Sequence, residues 1–401
     1  MEKSRLNYTT SAGFGKPMQG QVEKMDNPTE YEDVIFDSTR MSVIGKPEEK
    51  GLPRYYFPLV AGILLVEVIV LVFALLDIFP LFHVFEIYPE TGYYNFISES
   101  DLTHTGVIII RWFFFLLTAG VLIPVTLIII MEVIRRFINS RRPESNTHTP
   151  DKEFGWMNKL DKSLKNPNIT ADRIEGDYIK RFDIHQRLQH YGLFISFIIL
   201  GITGLIRGFP HWPTFAWFTN VLGGPDLLRL IHDGAAIVMF IVCVYHIIYV
   251  LNGIIVQRKW PTAMIPNLKD LKDMLHTFLW IFGQRKHEPD YEHFQYGQKI
   301  DYWAIFWGMP VMMITGLIMM VPVLFADTIP GWGIAMCVAA HRDEAILAVG
   351  FILIVHMYYG HFSTSAFPMN TVMFTGRMLK SKYKEWFGRE YKQLMEKSKD
   401  H

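Results

Sequence analysis

Apolar residues are gathered into six long windows along the 401-residue chain, and polar stretches separate these windows. Each window contains few charged side chains and is close to the about 20 residues that an α-helix needs to cross a bilayer. Buried helices of soluble proteins rarely stay apolar for this length. The pattern therefore predicts six membrane-spanning helices, at residues 57–79, 107–134, 191–207, 232–252, 303–325 and 345–362.

The polar stretches divide the chain into five predicted regions. They are a polar arm at 1–56, a two-helix transmembrane extension at 57–138, a linker at 139–183, a four-helix bundle at 184–366 and a basic tail at 367–401. Within the bundle region, apolar residues recur at helical spacing between 267 and 283, and charged residues occupy the other face. This pattern is typical of a helix that lies along the membrane interface.

Lysine and arginine are distributed unevenly among the connections between the windows. The polar arm, the second and fourth connections and the tail are rich in both, whereas the first connection has neither and the fifth has only Arg342. Because basic residues collect on the cytoplasmic side of a membrane, this alternation predicts that the arm, the linker, the tail and both termini are cytoplasmic. The expected location is a bacterial-type inner membrane, where lipid surrounds the spans.

Composition argues against several classes of function. Half of the residues are hydrophobic and the formal net charge is zero, so no basic field favours nucleic-acid binding. The two cysteines, Cys243 and Cys337, form no Cys-x-x-Cys pair. The chain therefore offers no ligand set for an iron–sulfur cluster of its own, and no signature of covalently attached c-type haem.

Histidine is the residue type that gives the last four windows their chemistry. Six histidines lie in or at the ends of these windows, at positions His190, His232, His246, His341, His356 and His361. Ionisable residues are costly within a bilayer and usually serve a function there. A neutral imidazole nitrogen is a good axial ligand for haem iron and needs no covalent link to the porphyrin. The set therefore predicts non-covalent haem binding.

The spacing of the histidines places them at two depths. His232 and His246 are 14 positions apart, roughly 21 Å along a helix axis, and His341 and His356 are 15 apart, roughly 22 Å. Because successive spans run in opposite directions, His232 and His341 both lie near the outer face and predict one haem between them. His356 lies towards the cytoplasm, where either His190 or His246 is expected to face it. The residues alone leave this inner pairing open.

Four short motifs occur in order along residues 181–391. They are Arg187-Leu-Gln-His190 before an apolar run to Thr203-Gly204-Leu205, Arg229-Leu-Ile-His232, Tyr296-Gly297-Gln298-Lys299 before Tyr302-Trp303 and Thr315-Gly316, and His341 followed by His356-Met-Tyr. Through these motifs the chain resembles the di-haem cytochrome b membrane subunits of formate dehydrogenases, which are relatives of the nitrate reductase gamma subunit. The expected fold is an all-α integral membrane protein whose last four of six helices form a haem-binding four-helix bundle. The first two windows have no counterpart in that family and look like an extension for docking a partner.

The resemblance implies a ligand set. Carried over to this chain, the outer haem b is held by His232 and His341, and the inner haem b by His190 and His356, with His246 as the alternative inner ligand. The gap between the two histidines at the last window is one residue longer than the resemblance implies. Arginines beside these ligands are expected to pair with haem propionates, at Arg187, Arg229 and Arg342.

A quinone site is a further implication of the resemblance. It places menaquinone or ubiquinone near the inner haem, beside the stretch that leads into the fifth window. There the side chains of Gln295 and Gln298 and the backbone of Gly297 are candidates to hydrogen-bond a quinone carbonyl. Gln295 stands where the resemblance implies asparagine.

These expectations predict a membrane cytochrome b subunit of a respiratory oxidoreductase. It would pass electrons across the membrane through two b haems, between a partner subunit and the quinone pool, and would not be catalytic alone. The expected partners are iron–sulfur or multihaem cytochrome c subunits of a hetero-oligomeric complex, with no role for nucleic acid. The alternatives are a haem-binding electron-transfer anchor without a quinone site and a six-span transporter, for which broken mid-membrane helices would be expected.

Overall fold

The computed structural model describes residues 52–79, 96–141, 171–210, 212–285 and 288–399. Almost all of the predicted polar arm and most of the predicted linker lie outside these ranges. The described residues belong to one compact unit, Lys50–His401.

Six of the described helices are long and apolar enough to cross a membrane, which confirms the predicted six-span, all-α fold. They are α1 at Tyr56–Ile78, α3 at Thr105–Ser140, α4 at Ile184–Gly208, α6 at Pro225–Ile255, α8 at Tyr296–Met320 and α9 at Gly331–Phe351. The last span continues in two π-helical segments, Ile352–His356 and Tyr358–Phe362. Helix α9 begins well before the predicted window at 345, because small residues such as Ala335 and Ala339 pack closely there. His341 therefore lies inside the span and does not precede it.

Shorter elements connect these helices. The short helices are α2 at Glu99–Leu102, α5 at Pro213–Val221, α7 at Leu268–Ile281, α10 at Val372–Thr375, α11 at Lys380–Trp386 and α12 at Gly388–Lys397. The strands are β1 at Ile174–Glu175, β2 at Tyr178–Lys180 and β3 at Arg377–Leu379, which pair antiparallel in that order. The strands have only two or three residues each, so they carry no alternating apolar pattern long enough to predict them.

Helices α4, α6, α8 and α9 form two antiparallel pairs. Helix α4 contacts α6 through Gln189 and His246 near the start of α4, and through Thr203 and His232 near its end. Helix α8 contacts α9 in the same antiparallel way. The bundle therefore has two ends, which we call the His190 end, where α4 and α8 begin, and the His232 end, where α6 and α9 begin.

Side-chain capping fixes where several helices begin. In a capping box, two residues three positions apart satisfy backbone N–H groups that the first helical turn leaves without partners. Such pairs precede α4, α7 and α8, at Asp183 with Gln186, Asn267 with Asp270, and Gln295 with Gln298.

The two-helix extension packs along α9. Leu64 of α1 and Leu122 and Ile129 of α3 are buried in one apolar cluster with Phe351 and Val355 of the last span. An apolar face of this extent lets the extension associate closely with the bundle by van der Waals packing.

Buried polar contacts join the extension to the last span at both ends. At the His232 end, Asp77 of α1 forms an ion pair with Arg342 of α9. At the His190 end, Glu132 of α3 accepts hydrogen bonds from the hydroxyls of Tyr358 and Tyr359, at 3.3 and 3.1 Å. Because unpaired polar groups are costly in an apolar interior, these contacts fix how the extension sits on α9.

Strands β1–β3 and helices α10–α12 form a small tail subdomain. Its core contains Ile179 of β2, Met378 of β3, Tyr383 of α11, Leu394 of α12, and Phe387 between these two helices. The chain segment that follows the last span thereby returns to pack beside the residues that precede α4.

A buried cluster of charged and polar side chains lies inside the tail subdomain. Arg173 and Tyr383 each donate to the Glu390 carboxylate at 2.6 Å, and His293 Nδ1 lies 2.9 Å from it. Burial lowers the pKa of His293 to about 4, so the ring is neutral at pH 7. Burial alone would raise the pKa of Glu390, but the hydrogen bonds from His293 and Tyr383 and the charge of Arg173 outweigh it and lower that pKa to about 2.

Helix α7 presents its apolar face outward. Leu268 is 70% exposed, whereas the neighbouring Lys269 is 1% exposed and pairs with Glu292. Lys272 and Asp273 on the same face are also buried. Helix α7 lies within the predicted range 267–283, and its position along the membrane interface stays a prediction.

Candidate functional site

One cavity of about 1440 Å³ lies among α3, α4, α6, α8 and α9. It is larger than the roughly 300–1,000 Å³ of a pocket for one drug-sized ligand. Most of its wall is apolar, and four of the predicted ligands line it: His190, His232, His341 and His356. Because these residues come from both ends of the bundle, the cavity extends along most of its length.

The four histidines form two facing pairs. At the His232 end, the ring centroids of His232 and His341 are 6.5 Å apart, with 64° between the ring planes. At the His190 end, His190 and His356 are also 6.5 Å apart, with 33° between the planes. A metal held between two imidazole nitrogens at about 2 Å from each needs ring centroids roughly 6 Å apart. Each pair therefore leaves the gap that bis-imidazole ligation of one haem requires.

A threonine fixes the proton of His232. Thr203 Oγ1 donates its only proton to the carbonyl oxygen of Ile199 at 2.6 Å, so it can only accept from His232 Nδ1, which lies 2.8 Å away. The proton of the neutral ring is therefore on Nδ1. The lone pair of Nε2 remains available for iron, as the outer partner of a metal-bound histidine normally ensures.

The same device recurs at His341. Thr315 Oγ1 donates to the carbonyl oxygen of Val311 at 2.6 Å and lies 2.9 Å from His341 Nδ1, so His341 also carries its proton on Nδ1. The two helix pairs thus repeat one local arrangement. Each of the two threonines precedes a glycine, but Thr-Gly pairs also occur elsewhere in the sequence, so the dipeptide alone does not mark this arrangement.

A glycine follows each threonine and makes room for the ring. A Cβ atom on Gly204 would lie 3.3 Å from His232 Cε1, and one on Gly316 would lie 3.1 Å from His341 Cε1. These separations are tighter than ordinary van der Waals contact. Glycine therefore lets each imidazole lie directly against the backbone of the neighbouring helix.

The pair at the His190 end has different surroundings. His356 Nδ1 lies 3.2 Å from Asp301 Oδ2, so its polar partner is a carboxylate. His190 stacks on Phe194, with ring centroids 6.5 Å apart and 5° between the planes. A carboxylate partner increases the basicity of a metal-bound imidazole more than a neutral hydroxyl does, which makes the two candidate haem sites chemically unequal.

The last span is π-helical at Ile352–His356, between the two histidines whose gap is one residue longer than the resemblance implies. A π-turn takes one residue more than an α-turn and occurs often at functional sites. The segment begins after Phe351 and ends at His356 itself. His356, at the end of this segment, lines the same cavity as His341.

His246 is not among the residues that line the cavity. Its Nδ1 lies 2.8 Å from Gln189 Oε1 and its Nε2 lies 3.0 Å from the Tyr302 hydroxyl, so both ring nitrogens have hydrogen-bond partners. This geometry favours His190 over His246 as the residue opposite His356.

The three predicted propionate partners lie in different places. Arg229 and Arg342 line the cavity; Arg229 Nε is 3.5 Å from Asp233, and Arg342 pairs with Asp77. Arg187 is not among the lining residues, and its guanidinium donates to the Phe374 carbonyl oxygen.

A fourth arginine, Arg207, lines the cavity although it was not among the predicted site residues. It occupies the last turn of α4, at the His232 end. The signal that could have identified it is a basic residue at the less basic end of the bundle.

The predicted quinone residues serve mainly to begin α8. The Gln295 and Gln298 side chains form the capping box, and Gln298 Oε1 also accepts from Arg181 at 3.3 Å. Neither they nor Gly297 line the cavity. Its wall beside this stretch is formed by residues from the next turn of the helix, Lys299, Ile300, Asp301, Tyr302 and Trp303.

Comparison with known proteins gives a family match over residues 181–375, to the model of prokaryotic cytochrome b561. This range contains α4, α6, α8, α9 and both histidine pairs, whereas α1 and α3 lie outside it. The predicted resemblance of this part of the chain to cytochrome b is thereby confirmed.

Formate dehydrogenase subunits are among the similar curated proteins. The cytochrome b556(Fdn) subunit of the nitrate-inducible formate dehydrogenase of Escherichia coli is 26% identical over 180 residues, which cover 45% of this chain and 76% of that subunit. The cytochrome b556(fdo) subunit from the same organism is 26% identical over 187 residues, 45% of this chain and 78% of that subunit. The formate dehydrogenase cytochrome b556 subunit of Haemophilus influenzae is 29% identical over 136 residues, 33% and 50% of the respective chains.

Proposed function

We propose that residues 181–375, which match the model of prokaryotic cytochrome b561 and are similar to formate dehydrogenase cytochrome b subunits, form a membrane cytochrome b domain and that this chain carries electrons through two b haems. His232 and His341 ligate one haem, and His190 and His356 ligate the other. The observation that carries the proposal is the equal 6.5 Å separation of the two ring pairs along one cavity. The family match favours this function over the six-span transporter.

The side chains around each pair have separate tasks in this proposal. A bound haem supplies a reversible one-electron couple at its iron. Thr203 and Thr315 keep the Nδ1 protons in place so that Nε2 of each ring points at the iron. The arginines that line the cavity at the His232 end pair with haem propionates, namely Arg207, Arg229 and Arg342.

We place the His190 end at the cytoplasmic face. The basic connections and tail lie at this end, as the distribution of lysine and arginine across membranes requires. Both termini are then cytoplasmic, the membrane is a bacterial-type inner membrane, and the apolar face of α7 rests on its lipid.

Menaquinone or ubiquinone reacts at the same end in this proposal. The cavity wall there contains Lys299, Asp301 and Tyr302, which supply polar groups within an otherwise apolar space. Gln295, Gly297 and Gln298 lie one turn earlier and act by fixing the start of α8. A site of this kind combines an apolar enclosure with a few placed polar groups.

The other electron partner is a separate redox subunit in a hetero-oligomeric complex. The two cysteines, Cys243 and Cys337, cannot ligate an iron–sulfur cluster by themselves. The similar proteins are subunits of formate dehydrogenases, and an iron–sulfur or multihaem cytochrome c protein is the matching class of partner here.

The test is a redox study of the purified full chain, produced with ample haem. Two b haems per chain, reducible by a short-chain quinol and blocked by a quinone-analogue inhibitor, are the expected result. A colourless protein would refute haem binding. Two haems that dithionite reduces but quinol does not would instead identify an electron-transfer anchor without a quinone site.

A further inference from the structure

Two side chains inside the bundle take no part in haem ligation, His246 of α6 and Tyr302 of α8. We propose that Tyr302 and His246 relay protons between a quinone at the His190 end and the aqueous phase, with Gln189 orienting the imidazole. The inference rests on the proposed function, because protons must be moved only where a quinone exchanges them.

Hydrogen bonds order the three side chains in a line. The Gln189 Oε1 atom has no proton to give, so His246 donates to it from Nδ1 at 2.8 Å. The Nε2 atom is then an acceptor, and the Tyr302 hydroxyl donates to it at 3.0 Å. Each proton therefore has one defined position, which is the starting arrangement that a relay needs.

The line begins at the cavity and at the depth of the inner histidine pair. Tyr302 lines the cavity, and it follows Asp301, whose carboxylate contacts His356. Gln189 at the other end of the line directly precedes His190. A quinone that accepts or gives electrons at this pair would therefore lie beside Tyr302.

The seam between α4 and α6 continues the line toward the end of the bundle. About one turn beyond His246, the Tyr249 hydroxyl donates to Asp183 Oδ2 at 2.7 Å. Asp183 caps the first turn of α4 and is partly exposed. Polar residues on both helices therefore mark a route between the relay and water.

The chemistry balances as two identical one-electron, one-proton steps. Oxidation of a quinol to a quinone releases two electrons and two protons, and each electron reduces one ferric haem iron. Each proton passes from a quinol hydroxyl to the Tyr302 oxygen while the Tyr302 proton moves to His246 Nε2. His246, then protonated on both ring nitrogens, releases its Nδ1 proton to water that enters from the aqueous end of the seam, and water-mediated transfer of the remaining proton from Nε2 to Nδ1 restores the first tautomer before the second step. Quinone reduction runs the same steps in reverse.

A solely structural role for this line would leave proton transfer unaffected. Hydrogen bonds between membrane helices contribute only modestly to stability, and apolar side chains fill such seams equally well. Polar and ionisable residues held inside a membrane protein usually mark a function. The two alternatives differ in whether the maximal rate of the quinone reaction depends on one hydroxyl.

The test uses the full chain with its haems and a reduced short-chain naphthoquinone as electron donor. Tyr302→Phe keeps the aromatic ring and removes only the hydroxyl. Because a positioned proton-transfer group contributes about 100-fold or more to such a step, the maximal rate of haem reduction is expected to fall by about tenfold or more. The quinol concentration at half-maximal rate, the haem content and the dithionite-reduced spectrum are expected to remain unchanged.

Tyr245→Phe is the matched control. Tyr245 lies on the same helix as His246 and does not line the cavity. Its hydroxyl forms a hydrogen bond of 2.6 Å with the exposed His185 of α4. The control is expected to keep the wild-type rate. His246→Gln retains hydrogen bonding but cannot exchange a proton, so it is expected to match Tyr302→Phe with both haems in place.

The outcomes separate the relay from the proposed function. A fall of less than about tenfold in Tyr302→Phe, or an equal fall in Tyr245→Phe, would overturn the relay and leave haem ligation untouched. Loss of a haem from His246→Gln would overturn it by making that residue a ligand. Wild-type protein that no quinol reduces would refute the quinone function and the relay together.

Discussion

Replacing Thr315 with valine tests how the haem at the His232 end is held. Valine has almost the shape of threonine but lacks the hydroxyl that accepts from His341 Nδ1 at 2.9 Å. The imidazole N–H group loses this acceptor and keeps only the backbone of Met312 near the ring, so the ring can turn or move its proton to Nε2. Both changes weaken the Nε2–iron bond. His190 and His356 do not contact Thr315, so the haem between them is expected to remain.

The size of the effect follows from the lost acceptor. A buried donor without its partner costs about 1–3 kcal/mol. At about 1.4 kcal/mol per factor of ten, the dissociation constant of this haem is expected to rise by about 5- to 150-fold. Removing the outer partner of a metal-bound histidine typically weakens metal affinity by about 10- to 100-fold, which is the same range.

The assay is haem titration of the purified variant, followed by absorption and a redox titration that resolves the two haems. Thr315→Ser restores the hydroxyl and is the matched control, expected to bind both haems like the wild type. Thr203→Val is expected to reproduce the loss, because Thr203 bonds His232 in the same way. Full occupancy in Thr315→Val, or equal loss of both haems, would refute the proposed role of the threonine.

Two further predictions concern the close packing at the ligands and the tail subdomain. Gly316→Ala places a Cβ 3.1 Å from His341 Cε1, so haem loss at the His232 end is expected by absorption, whereas Gly120→Ala, with nothing within 4 Å, is expected to have no effect. The pKa values of His293 and Glu390 are lowered in the folded protein, so both groups bind protons more weakly there than in the unfolded chain. Protonation of His293 is therefore expected to reduce stability as the pH falls from about 6.5 to 4, and protonation of Glu390 as it falls from about 4.5 to 2. Hydrogen exchange of residues 377–397 measures this, and constant protection down to pH 4 would contradict it.

Hydropathy predicted the six spans, and histidine spacing predicted three residues of the facing pairs, His232, His341 and His356, whereas His190 followed only from the family resemblance. These features are visible in sequence because a membrane helix must be long and apolar and because its axial rise is fixed. The choice between His190 and His246 was not decided by spacing alone, since both lie near the same depth. It depends on which face of α4 and of α6 turns toward α9, which helix packing sets.

The residues that support the histidines could not be predicted from spacing either, because their roles also depend on how the helices pack. Thr203 and Thr315 act on histidines that are 29 and 26 positions away along the chain, so only the contact between helices reveals their role. The π-helical segment before His356 interrupts the regular rotation on which spacing arguments depend. Gln298 resembles a free amide in the sequence, but the start of α8 uses it as a cap.

The most direct measurement of two-haem ligation is the haem content of two single variants, His190→Ala and His246→Ala, purified beside the wild type. Ligation by His190 and His356 predicts two haems in the wild type, one in His190→Ala and two in His246→Ala. Loss of a haem from His246→Ala but not from His190→Ala would contradict the inner pairing, and a wild-type chain without haem would contradict the whole scheme.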